Sequence, residues 1–123
     1  MIPEVSIVIC TRNRCEQITS TLDSIFKNAF LYFEVIVIDQ STNESTQIAV
    51  QPFLTDPRLI YKRTNTSGLS KARNIGVSEA QGKIIAFTDD DCRVADNWIE
   101  SIFQEFTNYP GVTSIFEIGR AHV

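Results

Sequence analysis

The chain has 123 residues, 43% of them hydrophobic and 21% charged, which is enough for one globular domain with a core and excludes a disordered or collagen-like chain. Its net charge of −4 argues against sequence-independent nucleic-acid binding, which needs a basic surface to displace counterions. No run approaches the roughly 20 apolar residues of a membrane span. The opening Met1-Ile2-Pro3-Glu4 also lacks the basic and apolar regions of a signal peptide. Cytoplasmic residence is therefore expected, with peripheral attachment at the inner face of a membrane left open. Cys10, Cys15 and Cys92 show no Cys-x-x-Cys spacing, so neither a disulfide framework nor a zinc site is suggested. The sequons at Asn43 and Asn65 carry little weight without a secretory signal.

Val5-Ser6-Ile7-Val8-Ile9-Cys10 reads as a strand that ends at Thr11-Arg12-Asn13. Ile18, Leu22, Ile25, Phe26 and Ala29 then recur at helical spacing and predict an amphipathic helix from about 15 to 28. Glu34 to Ile38 forms a second strand that runs into Asp39-Gln40-Ser41-Thr42-Asn43. The polar stretch to Gln51 is a weaker helix candidate, limited by Pro52. Leu59-Ile60-Tyr61 is a short third strand. Ser67-Gly68 opens a helix to about Ala80, with Gly82 as its stop signal. Ile84 to Thr88 is a buried strand, and Trp98 or Ile99, Ile102, Phe103 and Phe106 mark a last helix, ended by Tyr109-Pro110-Gly111. Strands alternating with helices predict a parallel sheet covered on both faces.

The aspartates 89–91 follow the fourth strand directly. Carboxylates at that end lie where open α/β sheets bind ligands. If the extended geometry continues, Asp89 and Asp91 share a face and Asp90 points away. Two such carboxylates repel unless a cation lies between them, and a hard divalent ion, Mn²⁺ or Mg²⁺, is the natural one. The competing reading has one aspartate capping the next helix and the others solvated. Thr11, Asn13, Asp39, Ser41 and Asp89 to Asp91 should all emerge on one edge, because parallel strands share a direction. In Asn65 to Gly76 a glycine turn opens a helix carrying Lys71 and Arg73 in its first turns, a setting that favours anions such as a diphosphate. The segment is neither a Walker A loop nor a dinucleotide fingerprint, and a solvated helix face remains the bland alternative.

Taken together, Val5 to Arg14, the strand ending at Asp39, Gly68-Leu69-Ser70-Lys71-Ala72-Arg73-Asn74-Ile75-Gly76 and Phe87-Thr88-Asp89-Asp90-Asp91 resemble the amino-terminal half of a family-two inverting glycosyltransferase. The resemblance covers roughly residues 4 to 116. It implies the nucleotide-sugar-binding half of a GT-A fold: three α/β/α layers, Rossmann-like, with a mostly parallel sheet truncated at its C-terminal side. It implies that Thr11, Arg12, Asn13 and Ser41 line the nucleotide pocket and that Asp39 accepts a hydrogen bond from a uracil ring. By the same token Arg73 lies near the phosphates, Asn74 and Gly68 shape that loop, Asp89 and Asp90 belong to the donor site, and Asp91 with Asp89 holds Mn²⁺ or Mg²⁺. One departure is that the family often reads Asp-Asp-Gly-Ser where this chain has Asp39-Gln40-Ser41-Thr42.

The activity so implied is metal-dependent transfer of a sugar, with inversion, from a nucleoside diphosphate (UDP above all) to an acceptor hydroxyl on a saccharide, lipid or protein. The resemblance places the catalytic base downstream of the Asp triplet, on a segment this chain does not contain; Glu100 and Glu105 look like exposed helix positions and are poor substitutes, so the fragment is expected to be inactive by itself. Residues 117–123, Glu-Ile-Gly-Arg-Ala-His-Val, match one frame of a sequencing adapter, so the native domain is expected to occupy 1–116. A sheet left with an open edge is expected to fold poorly alone. The alternative function is a nucleotide-binding module without turnover. A nucleotidyltransferase is disfavoured because Thr11-Arg12-Asn13-Arg14 replaces its glycine-rich opening, and a receiver domain because no acidic pair follows the first strand.

Overall fold

A computed structural model describes residues 2–108 and, as backbone only, 115–118. Elements follow in the order β1 (Val5–Thr11), α1 (Cys15–Phe26), β2 (Phe33–Asp39), α2 (Ser45–Val50), a short 3₁₀ turn (Gln51–Thr55), β3 (Leu59–Arg63), α3 (Leu69–Glu79), β4 (Ile84–Asp89), α4 (Trp98–Thr107) and β5 (Ile115–Ile118). All pairings are parallel, in the order β3-β2-β1-β4-β5. This is the parallel sheet covered on both faces that the alternation of strands and helices predicts, and it has the three layers that the resemblance implies. β1 and β2 are apolar without alternation because both of their faces are covered.

Ile7, Ile9, Val35, Val37 and Ala86 meet Ile18, Leu22 and Ile25 of α1, Val50 of α2, and Trp98, Ile99 and Ile102 of α4 in one core. Val8, Ile36, Ile38 and Phe87 meet Ala72 of α3 in a smaller core on the opposite face. The chain therefore steps outward from β1 to β3 under α1 and α2, then returns over the other face through α3 to β4, beside β1. That reversal makes the β1/β4 boundary a topological switch point, where the carboxyl ends of the strands open a crevice. The Asp triplet sits at that boundary.

Several boundaries differ from the sequence reading. α1 stops at Phe26, and Ala29, expected on its apolar face, is exposed. α2 ends at Val50, ahead of Pro52, which then sits in the first turn of the 3₁₀ segment, where its missing N–H is no loss. Gly82 is not the stop signal of α3: the helix ends at Glu79, and Ala80 is already extended. Gly82 instead lies against β1, where a Cβ would meet Ser6 Oγ at 2.7 Å and its N–H donates to that oxygen (2.8 Å). Gly76 has the close-packing part expected of it, since a Cβ there would come within 2.4 Å of Val8 Cγ1. β5 was not expected; its backbone includes Glu117 and Ile118 of the suspected tail, and 119–123 lie outside the described residues, as do Tyr109-Pro110-Gly111.

Candidate nucleotide and metal site

The parallel register sets Thr11 beside Asp39 and Cys10 beside Asp89, so the tips of β2, β1 and β4 form one edge. Two hollows lie along it. An open cleft of about 570 Å³ over β2 and β3 is lined by Arg12, Ser41, Thr42, Arg63 and Thr66, among others. A smaller hollow of about 300 Å³ is lined by Cys10, Arg14 and all three aspartates.

The loops between them are laced together. Asn13 adopts a left-handed φ of 55°, which asparagine tolerates, and its Oδ1 accepts from Thr42 N (3.0 Å) while its own N–H donates to Ser41 Oγ (2.8 Å). Gln40 N donates to Thr11 O (2.9 Å), and Gln40 Nε2 to Thr66 Oγ1 and Gly68 O, both at 3.1 Å. The residue that departs from the family pattern thus ties the tip of β2 to the loop before α3. Gly68 takes φ 95° there, open to glycine without strain.

Asp39 is fully buried. Its Oδ1 accepts from Ser41 N (2.9 Å) and its Oδ2 from the Tyr61 hydroxyl, whose pKa is pushed up by burial and by that carboxylate. Asp39 shows no surface to the cleft, so a base reaches it only if Tyr61 or Ser41 gives way. Arg73 stacks its guanidinium 5.0 Å from the Phe87 ring centroid, and its charge partly offsets the rise that burial gives the Cys10 thiol pKa, so it approaches the β1/β4 tips. Asn74 is exposed on α3, and neither it nor Arg73 lines the two hollows.

The strand does not continue through the triplet: β4 ends at Asp89 and the chain turns at Asp90-Asp91. Asp90 turns inward, 7% exposed, where its Oδ2 accepts from Thr11 Oγ1 (2.8 Å) and its main-chain oxygen from Thr21 Oγ1 (2.8 Å). Its carboxyl pKa is raised, by burial first and by Asp91 and Asp89 after, against the lowering effects of Thr11 and Arg14. Asp90 therefore shows the smaller hollow only a narrow edge, with its carboxylate already engaged by Thr11 and Arg14. The turn still brings Asp89 and Asp91 together, their oxygens lying within 4.8 Å of each other and of Cys92 Sγ. Arg14 reaches this cluster, 3.5 Å from Asp90 and 3.4 Å from Asp91. Oxygens on one hard cation sit roughly 3 Å apart, so a small side-chain rotation suits the pair to a divalent ion.

Helix α1 is the platform for this turn. Besides Thr21, its Ser24 Oγ accepts from Val94 N (3.0 Å), and Asn28 donates to Ala95 O (3.2 Å) and accepts from Ile99 N (3.1 Å), capping the start of α4. Sequence reasoning missed these residues, though polar Thr21, Ser24 and Asn28 at spacings of three and four beside an apolar stripe are a readable signal. It also left out Gln40, Tyr61 and Arg63.

An acid-tipped switch point beside a polar cleft defines a Rossmann-like α/β domain with a candidate ligand site at the carboxyl edge of its sheet. The sequence profile of glycosyl transferase family 2 matches residues 6–120, and the chain belongs to that family. It is 26% identical over 107 residues to glycosyltransferase GlyA of Streptococcus pneumoniae, covering 86% of this chain and 15% of GlyA. Staphylococcus aureus TarS 1–349 in complex with UDP-GlcNAc superposes with a TM-score of 0.78 at 27% identity, over 86% of this chain and 32% of TarS. The mannosyltransferase PcManGT of Pyrobaculum calidifontis, in complex with GDP-Man and Mn²⁺, superposes with a TM-score of 0.73 at 26% identity, over 80% of this chain and 31% of that one. The chain thus spans about a third or less of these relatives. Among the described residues no helix is long and apolar enough to cross a membrane.

Proposed function

We propose that this chain is the donor-binding part of a metal-dependent, inverting glycosyltransferase that takes a nucleoside diphosphate sugar, with UDP as the nucleotide. The observation that carries the reading is the convergence of Asp89 and Asp91 at the switch point, next to a cleft lined by Arg12 and Arg63. The UDP-GlcNAc in TarS and the Mn²⁺ in PcManGT support it by likeness of fold.

In this reading the nucleoside lies in the cleft over β2 and β3, bounded by Arg12, Ser41 and the Thr64–Gly68 loop that Gln40 holds. Asn13 fixes the wall between the hollows. Arg73 contributes positive charge towards the diphosphate, and Asn74 helps shape the α3 end. Asp89 and Asp91 hold Mn²⁺ or Mg²⁺, which when bound supplies neutralisation of charge on the departing diphosphate. Asp90 acts through Thr11 and the turn rather than by contact. No residue here is given the part of general base: Glu100 and Glu105 are exposed on α4 and line neither hollow. The base and the acceptor site belong to sequence outside this chain.

The test is calorimetric titration of UDP- and GDP-sugars with and without Mn²⁺, on the chain and on Asp91→Ala. Metal-dependent binding of a UDP-sugar that the substitution abolishes is expected. Equal binding by both proteins would remove Asp91 from the site.

A further inference from the structure

Cys92 follows the triplet directly and is 4% exposed, with no disulfide and no hydrogen-bond partner among the described residues. Its sulfur is nevertheless aimed into the acidic cluster, within 4.8 Å of one oxygen each of Asp89 and Asp91. Around one tetrahedral zinc-sized ion, with bonds of about 2.1 Å to oxygen and 2.3 Å to sulfur, donor atoms sit about 3.5 Å apart. Closure of about an ångström, which side-chain rotation of exposed Asp89 and half-buried Asp91 can supply, would let all three bind one ion. A site meant for Mg²⁺ alone takes oxygen donors only, so a buried thiol in that position is a poor neighbour for it. Thiolate is a good donor for borderline and softer ions.

Resting on the metal reading above, we propose that Cys92 is a third protein donor, making a two-carboxylate, one-thiolate site that takes Zn²⁺ or Co²⁺ in preference to Mn²⁺ or Mg²⁺. Coordination breaks the S–H bond, the proton leaves to solvent and the sulfur lone pair forms the metal bond; nothing is oxidised or reduced. The consequence is regulation of the donor site by metal identity: Zn²⁺ competes with Mn²⁺ at the same carboxylates and closes positions that a diphosphate needs. Cys10, on the β1 wall of the same hollow, lies outside the cluster, and burial pushes its thiol up to about 11, so it stays protonated and serves as a control.

The experiment is Co²⁺ titration of the whole chain, followed by its thiolate-to-metal charge-transfer absorption, on the wild type, Cys92→Ser, Cys92→Ala and Cys10→Ser, each also titrated with Mn²⁺ and with Zn²⁺ against Mn²⁺. The band should appear in the wild type and in Cys10→Ser and vanish in both Cys92 variants. Those variants should keep Mn²⁺ binding, which shows that the carboxylate pair is intact, while Zn²⁺ affinity falls at least about tenfold. Mn²⁺ binding without a charge-transfer band in the wild type, or a band that survives in the Cys92 variants, would overturn the thiol assignment alone. Failure of the wild type to bind Mn²⁺ or Co²⁺ would overturn the metal reading and this inference with it.

Discussion

Replacing Thr11 with valine keeps the side-chain shape and removes the one hydroxyl that, among the described residues, donates to the Asp90 carboxylate. Asp90 is nearly buried, and its other side-chain partner is Arg14 at 3.5 Å, half exposed and therefore worth little. A hydrogen bond to a charged group is worth about 1.5–3 kcal/mol. Loss of about 2 kcal/mol in a domain of this size lowers Tm by roughly 8 °C. The pH dependence is equally definite. The folded-state pKa of Asp90 lies above the ordinary 3.8, so its contribution to stability is present below that value and lost as pH rises through the folded pKa. Thr11 opposes that loss by favouring the ionised form. Thr11→Val should therefore be most destabilising near neutrality, and the deficit should shrink towards about 1 kcal/mol on acidification, as the carboxyl protonates. Urea unfolding followed by circular dichroism between pH 4 and 7 measures it, with Thr11→Ser as the conservative control. A valine variant within about 0.5 kcal/mol of wild type at pH 7, the ordinary range for an inconsequential surface change, would refute the structural role given to Asp90. So would a deficit that does not change with pH.

Tyr61→Phe removes a donor to buried Asp39 and should cost about 1.5–3 kcal/mol at pH 7. Because the Tyr61 pKa is raised above 10.0, wild-type stability should also fall as pH rises beyond about 10 more steeply than that of the variant, which denaturant midpoints at pH 9 to 11 would show. Arg14→Ala removes the guanidinium beside Asp90 and Asp91, and at about 5 Å in water, screened by physiological salt, that charge is worth about 1 kcal/mol against an incoming divalent cation. Mn²⁺ affinity by calorimetry should rise about fivefold; a fall would mean that Arg14 supports the site.

The strands β1, β2 and β4 were legible because burial on both faces removes polar residues from the middle of each, leaving the switch to polarity at the tips. β3 reads short from the sequence because its last residues, Lys62 and Arg63, are exposed, yet they pair with Ile38 and Asp39. The convergence of Thr11, Asp39 and the triplet on one edge followed from parallel direction alone. What each of them faces did not. Asp90 turns inward because Thr11, 79 residues away, and Thr21 draw it there. The sequestering of Asp39 likewise depends on Tyr61 in the neighbouring strand. Such contacts are properties of register between distant segments, and no local pattern encodes them. Cys92 was passed over for a related reason: spacing rules look for cysteine pairs, whereas here the turn after β4 folds one thiol back onto two carboxylates.

Pulsed electron paramagnetic resonance of Mn²⁺ tests most directly whether Asp89 and Asp91 hold a divalent cation against a nucleoside diphosphate. Adding the chain to Mn²⁺ and UDP should give a protein-bound Mn²⁺ signal carrying ³¹P coupling, and Asp91→Ala should return the spectrum of the free Mn²⁺–UDP complex. A spectrum that the wild-type chain leaves unchanged would contradict the account.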